Sequence, residues 1–276
     1  MALVINHNLS SLTAQRNLSN TGRSLGKAFE RVSSGLRVNS AADDAAGLGV
    51  AENLEAASRS ARVAMRNTND GISVVQTAEG ATSEVGNILK RMRELAVQSS
   101  SETLDTTERG YIQDEFTALT AEVDRIAQVT EFNGLSLTDG VANTTLAIQV
   151  GVNNSANDRI SITMGDLTAS TLGVGTTQMS LNSVASAQSA ITDLDTALDS
   201  VNGYRSTYGA AQNRLTNSLV NLEVYSENLV AAESRIRDAD FAHETAEMAK
   251  LQIMQQAGLS VLSQTGAAQQ GVLSLI

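Results

Sequence analysis

The chain has 276 residues, of which 42% are apolar and only 3% aromatic, with no Pro, Trp or Cys. So few large rings cannot fill a globular interior of this size, so burial must come from Ala, Leu, Val and Ile spread along extended helices. The 19 basic against 30 acidic side chains leave a net charge of −11, which opposes binding to a phosphate backbone, and the absence of Cys excludes disulfides, thiolate metal sites and thiol nucleophiles.

The amino-terminal stretch from Met1 to Asn8 lacks the basic start, apolar run and cleavage site of a secretory signal, so export by a cleaved signal peptide is not expected. No stretch approaches the roughly 20 apolar residues of a spanning helix, so no membrane insertion is expected. Ile5, Leu9 and Leu12, then Leu25, Phe29, Val32 and Leu36, form a first amphipathic stretch. A second helix is predicted from Ile72, Val75, Thr82, Val85, Leu89, Met92 and Ala96, and Ser99-Ser100-Ser101 breaks it. Asp105-Thr106-Thr107-Glu108 places a side-chain acceptor at a helix start with a carboxylate three residues on, so a third helix begins there and carries Ile112, Phe116, Leu119, Val123 and Ile126. Its end is expected at Asn133-Gly134, where a left-handed residue is tolerated.

From Leu135 to Leu167 the period becomes two. Leu146, Ile148 and Val150 alternate with polar or small residues, as do Ile160, Ile162 and Met164, and the turn-rich segment 151–158 joins them as an antiparallel hairpin. Thr168 to Gln178 reads as a flexible Gly/Thr link. Then Leu194, Val201, Tyr208, Leu215, Leu222, Leu229 and Ile236 recur every seven residues, beside a second series of Val184, Ile191 and Leu198 that fades into Arg205 and Gln212. With no Pro to interrupt it, this helix extends for roughly 80 Å at 1.5 Å per residue. The last segment, Leu251 to Ile276, is too apolar to face solvent alone and must be covered by a partner. The fold class is therefore mainly α: a long antiparallel helical rod or coiled coil with a small β-hairpin region.

Specific strings go further. The segment 33–47, reading Ser-Ser-Gly-Leu-Arg-Val-Asn-Ser-Ala-Ala-Asp-Asp-Ala-Ala-Gly, resembles the amino-terminal signature of bacterial flagellins, as does Asn69-Asp70-Gly71-Ile72-Ser73. The matching carboxy-terminal strings are segment 234–242, Gln255-Gln256-Ala257-Gly258 and Val272-Leu273-Ser274-Leu275-Ile276. The resemblance covers about residues 1 to 140 and 180 to 276, with the variable middle of the family nearly absent. It implies that the amino- and carboxy-terminal helices pair as a filament-core coiled coil over 1–45 and 234–276. A helical rod domain would then occupy 46–180 and 181–233, including the hairpin at about 135–167. It implies a structural subunit that self-polymerises into the flagellar filament used for motility, secreted to the cell exterior without a cleaved signal peptide. Implied partners are further copies of the chain, the flagellar export apparatus, the flagellin export chaperone, and the filament cap and hook-filament junction proteins. The implied filament-core residues are Ile5, Leu9, Leu12, Leu259, Val261, Leu262, Val272, Leu273, Leu275 and Ile276. Segment 89–98 is similar to the flagellin stretch that packs on neighbouring subunits and, in free subunits, meets the vertebrate flagellin-sensing Toll-like receptor. That resemblance assigns Arg91, Leu95 and Gln98, with Glu115 on the adjacent helix, to both contacts. The tail segment 264–270 lacks the proline common in flagellins, and the short middle implies a comparatively smooth surface without inserted outer domains.

Other candidate chemistry is thin. Asp43-Asp44 has no His nearby and reads as a helix cap or a bridge to Arg37 or a neighbouring subunit. His7 and His243 do not make a ligand set, and Gly173-Val174-Gly175 lacks the strand and basic residue of a phosphate loop. No cofactor, metal or catalytic constellation is expected, so the chain reads as no enzyme. Asn8, Asn17, Asn143 and Asn153 begin N-glycosylation patterns that arise often by chance, and the resemblance favours O-linkage near the hairpin instead. A hook-filament junction protein, a flagellin relative, is the alternative reading, and a signalling coiled coil is a weaker one because no anchor accompanies the heptads.

Overall fold

The computed structural model describes residues 8–140, 145–175 and 179–273, with side chains to residue 267. Helix α1 spans Leu9–Ser34, α2 Ala45–Ser99 and α3 Thr106–Val129. Strands β1 (Glu131–Phe132) and β2 (Leu135–Ser136) form one antiparallel hairpin, and β3 (Thr145–Gln149) and β4 (Arg159–Thr163) a second. Helix α4 runs from Val184 to Arg237 and α5 from Phe241 to Leu273. The chain divides into two compact units, Met1–Ser58 with Glu227–Ile276, and Arg59–Ser226. Both divisions fall inside long helices, α2 and α4, whereas the sequence reading draws them at 45/46 and 233/234.

In the unit Arg59–Ser226, α2 and α4 run antiparallel. Arg93 donates to Asp195 at 2.6 Å, Gly86 faces Val201, and Ala61 and Ala64 cluster with Leu222, so advance along one helix is retreat along the other. The seam read from the sequence is the buried stripe: Leu194, Tyr208 and Leu215 are fully covered, and Val201 and Leu222 nearly so. Phe116 on α3 joins Val85, Leu89, Met92 and Leu194 in one cluster. At a heptad position each apolar side chain meets the partner helix, and full burial of one is worth roughly 1.5 to 3 kcal/mol.

The hairpin packs on this helical base. Its register pairs Leu146 with Ile162 and Ile148 with Ile160, which puts alternate side chains into a cluster with Val75, Tyr208 and Leu215. The Tyr208 hydroxyl accepts a hydrogen bond from the Gly165 backbone N–H at 2.8 Å, and burial pushes its ionisation above the ordinary tyrosine value. The ring of Tyr204 lies so close over Gly165 that an added Cβ would sit 2.5 Å from its Cγ, so only glycine fits where the chain leaves β4.

Two expectations change. Helix α3 starts at the expected capping box, with Asp105 accepting from Thr107 N and Glu108 N at 2.8 Å, but it ends at Val129. Asn133-Gly134 is not a helix end. With φ of 52° and 76° it is the two-residue turn between β1 and β2, the Asn-Gly combination whose left-handed backbone matches the twist of a tight hairpin. Nor is the segment after β4 a flexible link: Leu167, Ala169, Leu172 and Val174, with Met179 and Leu181 after it, are buried in the same cluster as Phe116. Val174 N–H bonds Ala169 O and Ala169 N–H bonds Asp124 Oδ1, so the segment is fixed both by its own backbone and by α3. Thr and Gly supply the turns here, and every second or third residue is a core plug.

Among the described residues no carboxylate pairs with the buried Arg109. Its guanidinium donates to the carbonyls of Ser99, at 3.0 Å, and Ser101, where α2 stops and leaves acceptors unpaired. Replacing Arg109 with Met removes a charged donor from buried carbonyls and should lower unfolding free energy by about 2 kcal/mol in urea melts. Leu215→Asp, which places a lone carboxylate in the seam, should lose tertiary structure in the monomer by thermal and far-ultraviolet dichroism; a parental melt would place Leu215 outside the core.

A candidate assembly surface

The unit formed by Met1–Ser58 and Glu227–Ile276 is organised by α1 and α5 side by side and antiparallel. Arg31 on α1 reaches Glu244 at 3.3 Å, while a Cβ added to Gly258 would come within 3.2 Å of Leu18. Asn8 starts α1 by accepting from Ser11 N at 2.9 Å, and Gly35, at φ 71°, ends it in the left-handed conformation. Along α1 the covered or half-covered positions include Ser11, Ala14, Leu18, Thr21, Leu25, Ala28 and Val32; along α5 they include Glu244, Met248, Leu251, Gln255, Gly258, Leu262 and Thr265. Each set follows the alternating three-and-four spacing of a coiled-coil seam, yet small and polar residues fill many of the positions.

The bulk of the apolar surface therefore points away from the pairing. Leu9 and Leu12 on α1 are 75% and 69% exposed, and Phe29, Phe241, Ile253, Met254, Leu259 and Val261 are also exposed. Of the residues assigned to the filament core, Leu9, Leu12, Leu259 and Val261 lie on this outward face. Leu262 instead falls on the seam repeat and is half-buried, because it is seven residues from Gln255. Ile5, Leu275 and Ile276, with His7, lie outside the described residues, as do the side chains of Val272 and Leu273. Phe29, Ile253 and Met254, which the sequence places in its amphipathic terminal stretches, and Phe241 share this exposure although the resemblance does not assign them to the filament core. Their signal was available in the sequence as large apolar residues off the seven-residue repeat.

The linker between α1 and α2 is fastened by polar contacts. Arg37 donates to Ile236 O at 2.6 Å, and Leu36 pairs with Asp238 as an isolated antiparallel bridge. Asp44 caps α2 by accepting from Gly47 N at 2.9 Å; a Cβ at Gly47 would lie 2.4 Å from its other oxygen, which is why glycine follows. Asp43 pairs with Lys27 at 3.0 Å and accepts from the Ser40 backbone and hydroxyl, so neither carboxylate bridges to Arg37 within this chain. The Lys27 ammonium and the Ser40 donors hold the Asp43 carboxyl down at about 2. Arg237 lies against Glu55, Glu52 and Glu233 at 3.2, 3.7 and 3.8 Å.

In the other unit, Arg91 Nε and Nη2 donate to Glu115 Oε1 at 3.0 and 2.9 Å, and Nη1 to Glu94 at 3.0 Å, which raises the Arg91 ionisation further. Arg91 and Glu115 thus form a clasp between α2 and α3, with Gln98 exposed two turns on. Leu95 does not belong to that surface. It is 1% exposed and packs in the cluster with Met92 and Phe116, because it lies three residues from Met92 on the inward face of α2. The apolar side chain exposed beside Gln98 is Val97, which shares a shallow groove with Lys90, Arg93 and Glu94.

Among the described residues, no group of three or more His, Cys, Asp or Glu could hold a metal ion, and no helix is long and apolar enough to cross a membrane. The arrangement is that of a helical subunit in which α1 and α5 pair and eight large apolar residues of that pair are exposed. Residues 5–143 match the bacterial flagellin N-terminal helical region and residues 191–276 the bacterial flagellin C-terminal helical region. A flagellin of Halalkalibacterium halodurans is 44% identical over 99% of this chain and 100% of its own length. The flagellar filament 33 kDa core protein of Treponema phagedenis is 39% identical over the same shares. A crystal structure of Bacillus cereus flagellin superposes with a TM-score of 0.50 at 34% identity, covering 57% of this chain and 88% of that one. The chain belongs to the bacterial flagellin family and is a structural filament subunit.

Asp43 generates a pH prediction. Its folded value lies below the model-peptide value of 3.8, so the linker gains from the pairing above about pH 4 and loses it as pH falls through about 2. An NMR titration of the Asp43 carboxyl carbon should show a midpoint near 2, returning toward 3.8 in Lys27→Ala.

Proposed function

We propose that this subunit reaches the cell exterior through the flagellar export apparatus without a cleaved signal peptide, escorted by the flagellin export chaperone. It adds beneath the filament cap to a homopolymer that continues from the hook-filament junction proteins and serves motility. The observation that carries the assembly part is the outward apolar face of α1 and α5. Eight large side chains lie exposed on a helix pair whose internal seam mixes Leu18, Leu25, Val32, Met248, Leu251 and Leu262 with small and polar residues. A free subunit gains by covering them, and each would contribute roughly 1.5 to 3 kcal/mol when fully buried between copies. Ile253→Asp combined with Leu259→Asp should abolish seeded polymerisation, read by sedimentation and negative-stain microscopy, while far-ultraviolet dichroism of the monomer stays parental. Normal filaments from that variant would refute the assignment.

The face around Arg91, Gln98 and Glu115 is proposed to serve twice, against neighbouring subunits in the filament and against the vertebrate flagellin-sensing Toll-like receptor when subunits are free. A guanidinium clasped to a carboxylate beside an exposed amide and Val97 has the mixture of a contact rim. Leu95 supports that face from beneath. Arg91→Ala with Glu115→Ala should weaken receptor activation by monomer roughly tenfold or more in a reporter assay with little change in melting temperature. Leu95→Ala should instead lower stability by about 2 to 5 kcal/mol, since it opens a cavity.

A further inference from the structure

The outward face of α5 contains one side chain that differs chemically from its neighbours. Met254 is 41% exposed, between Ile253 and the stretch holding Leu259 and Val261. Among the described residues the other methionines are protected: Met92, Met164 and Met179 are 0%, 5% and 3% exposed, and Met65 and Met248 are half-buried. Reaction of a thioether with peroxide needs approach to the sulfur, so burial selects which methionine reacts first.

We infer that Met254 is an oxidation site that withholds a free subunit from polymerisation. The co-reactant is a peroxide. A sulfur lone pair attacks one oxygen of hydrogen peroxide, the S–O bond forms as the O–O bond breaks, and water leaves; the thioether is oxidised to a sulfoxide and the peroxide reduced. The product carries a strongly dipolar acceptor where the thioether was apolar and adaptable. On a solvent-facing helix this costs the monomer almost nothing. In an apolar contact between copies the sulfoxide oxygen must give up water, and among the side chains one turn from Met254 on α5 the sole donor is Lys250, already engaged by Glu247 at 3.1 Å, so much of the desolvation goes uncompensated. Oxidation therefore acts before incorporation, and a subunit already in the polymer is shielded by the contact that it makes. The inference rests on the proposed self-assembly through this face.

The test treats purified subunits and preformed polymer separately with hydrogen peroxide and follows Met254 by peptide mass spectrometry. The expected result is that Met254 gains one oxygen in free subunits well before the buried methionines, that it stays reduced in polymer, and that the critical concentration of the oxidised subunit rises by about tenfold or more. Treatment with the two methionine sulfoxide reductases, one for each sulfoxide epimer, should restore polymerisation, and Met254→Leu should polymerise equally with or without peroxide. Normal polymerisation of subunits fully oxidised at Met254 would overturn the inference, as would equal inhibition of Met254→Leu by peroxide. Should Met254→Leu itself polymerise poorly, restoration of the oxidised parent by the reductases decides, and failure to restore it overturns the inference. A parent that fails to polymerise without any peroxide overturns the self-assembly reading itself, a different result from a parent that polymerises regardless of oxidation.

Discussion

The architecture of the unit Arg59–Ser226 depends on the antiparallel seam of α2 with α4. With almost no aromatic residues to thicken a core, the two helices must approach closely, and the seam is set with Ala61, Ala64, Ala78, Ala190, Ala197 and Ala211 between its larger Leu and Val. Small residues bring the backbones together; the larger ones fix the register by interlocking. Phe116 and Tyr208, both fully buried, stand at the two places where a third element must be received, α3 at one and the β3–β4 hairpin at the other. Once that seam exists, the remaining elements attach to it by short local devices: a capping box, a two-residue turn, a guanidinium over a helix end.

Much of this was legible because the signals were strong and local. A seven-residue repeat of Leu, Val and Tyr admits one helical face, and Asp105 with Glu108 has a direct geometric meaning. The alternation of Ile160, Ile162 and Met164 likewise fixed the inward face of β4. What escaped had a physical reason in each instance. Asn133-Gly134 suits both a helix end and a hairpin turn, and only the two-residue strands on either side decide between them. Segment 168–178 looks flexible by composition because its Thr and Gly outnumber the Leu, Ala and Val that anchor it. Leu95 was carried to the surface by a string resemblance, although its spacing from Met92 already put it on the inward face. The α1–α5 seam was hardest to see, since Ser11, Ala14, Thr21, Gln255, Gly258 and Thr265 interrupt its Leu, Val and Met positions and weaken the hydropathic stripe.

That hidden seam gives the candidate surface its meaning. The pairing mixes Leu18, Leu25, Met248, Leu251 and Leu262 with small and polar residues, while eight further large apolar residues on the same two helices remain uncovered. The division is physical: one face of each helix lies against the other helix, and the exposed apolar side chains leave surface whose burial in a contact would be favourable. Linker contacts such as Lys27 with Asp43 and Arg37 with the carbonyl of Ile236 fasten the chain between α1 and α2 without adding apolar area.

The placement of the rings has a spectroscopic consequence. Tyr111, Tyr204, Tyr208 and Tyr225 all belong to the unit Arg59–Ser226, and the chain has no tryptophan. Ultraviolet emission and tyrosine near-ultraviolet dichroism are therefore native optical probes of that unit, with Tyr208, sealed and hydrogen-bonded to Gly165, as the most sensitive reporter of its integrity. Far-ultraviolet ellipticity sums the helices of both units, so a change in ellipticity without a change in tyrosine signal marks an event in α1 and α5 without any label.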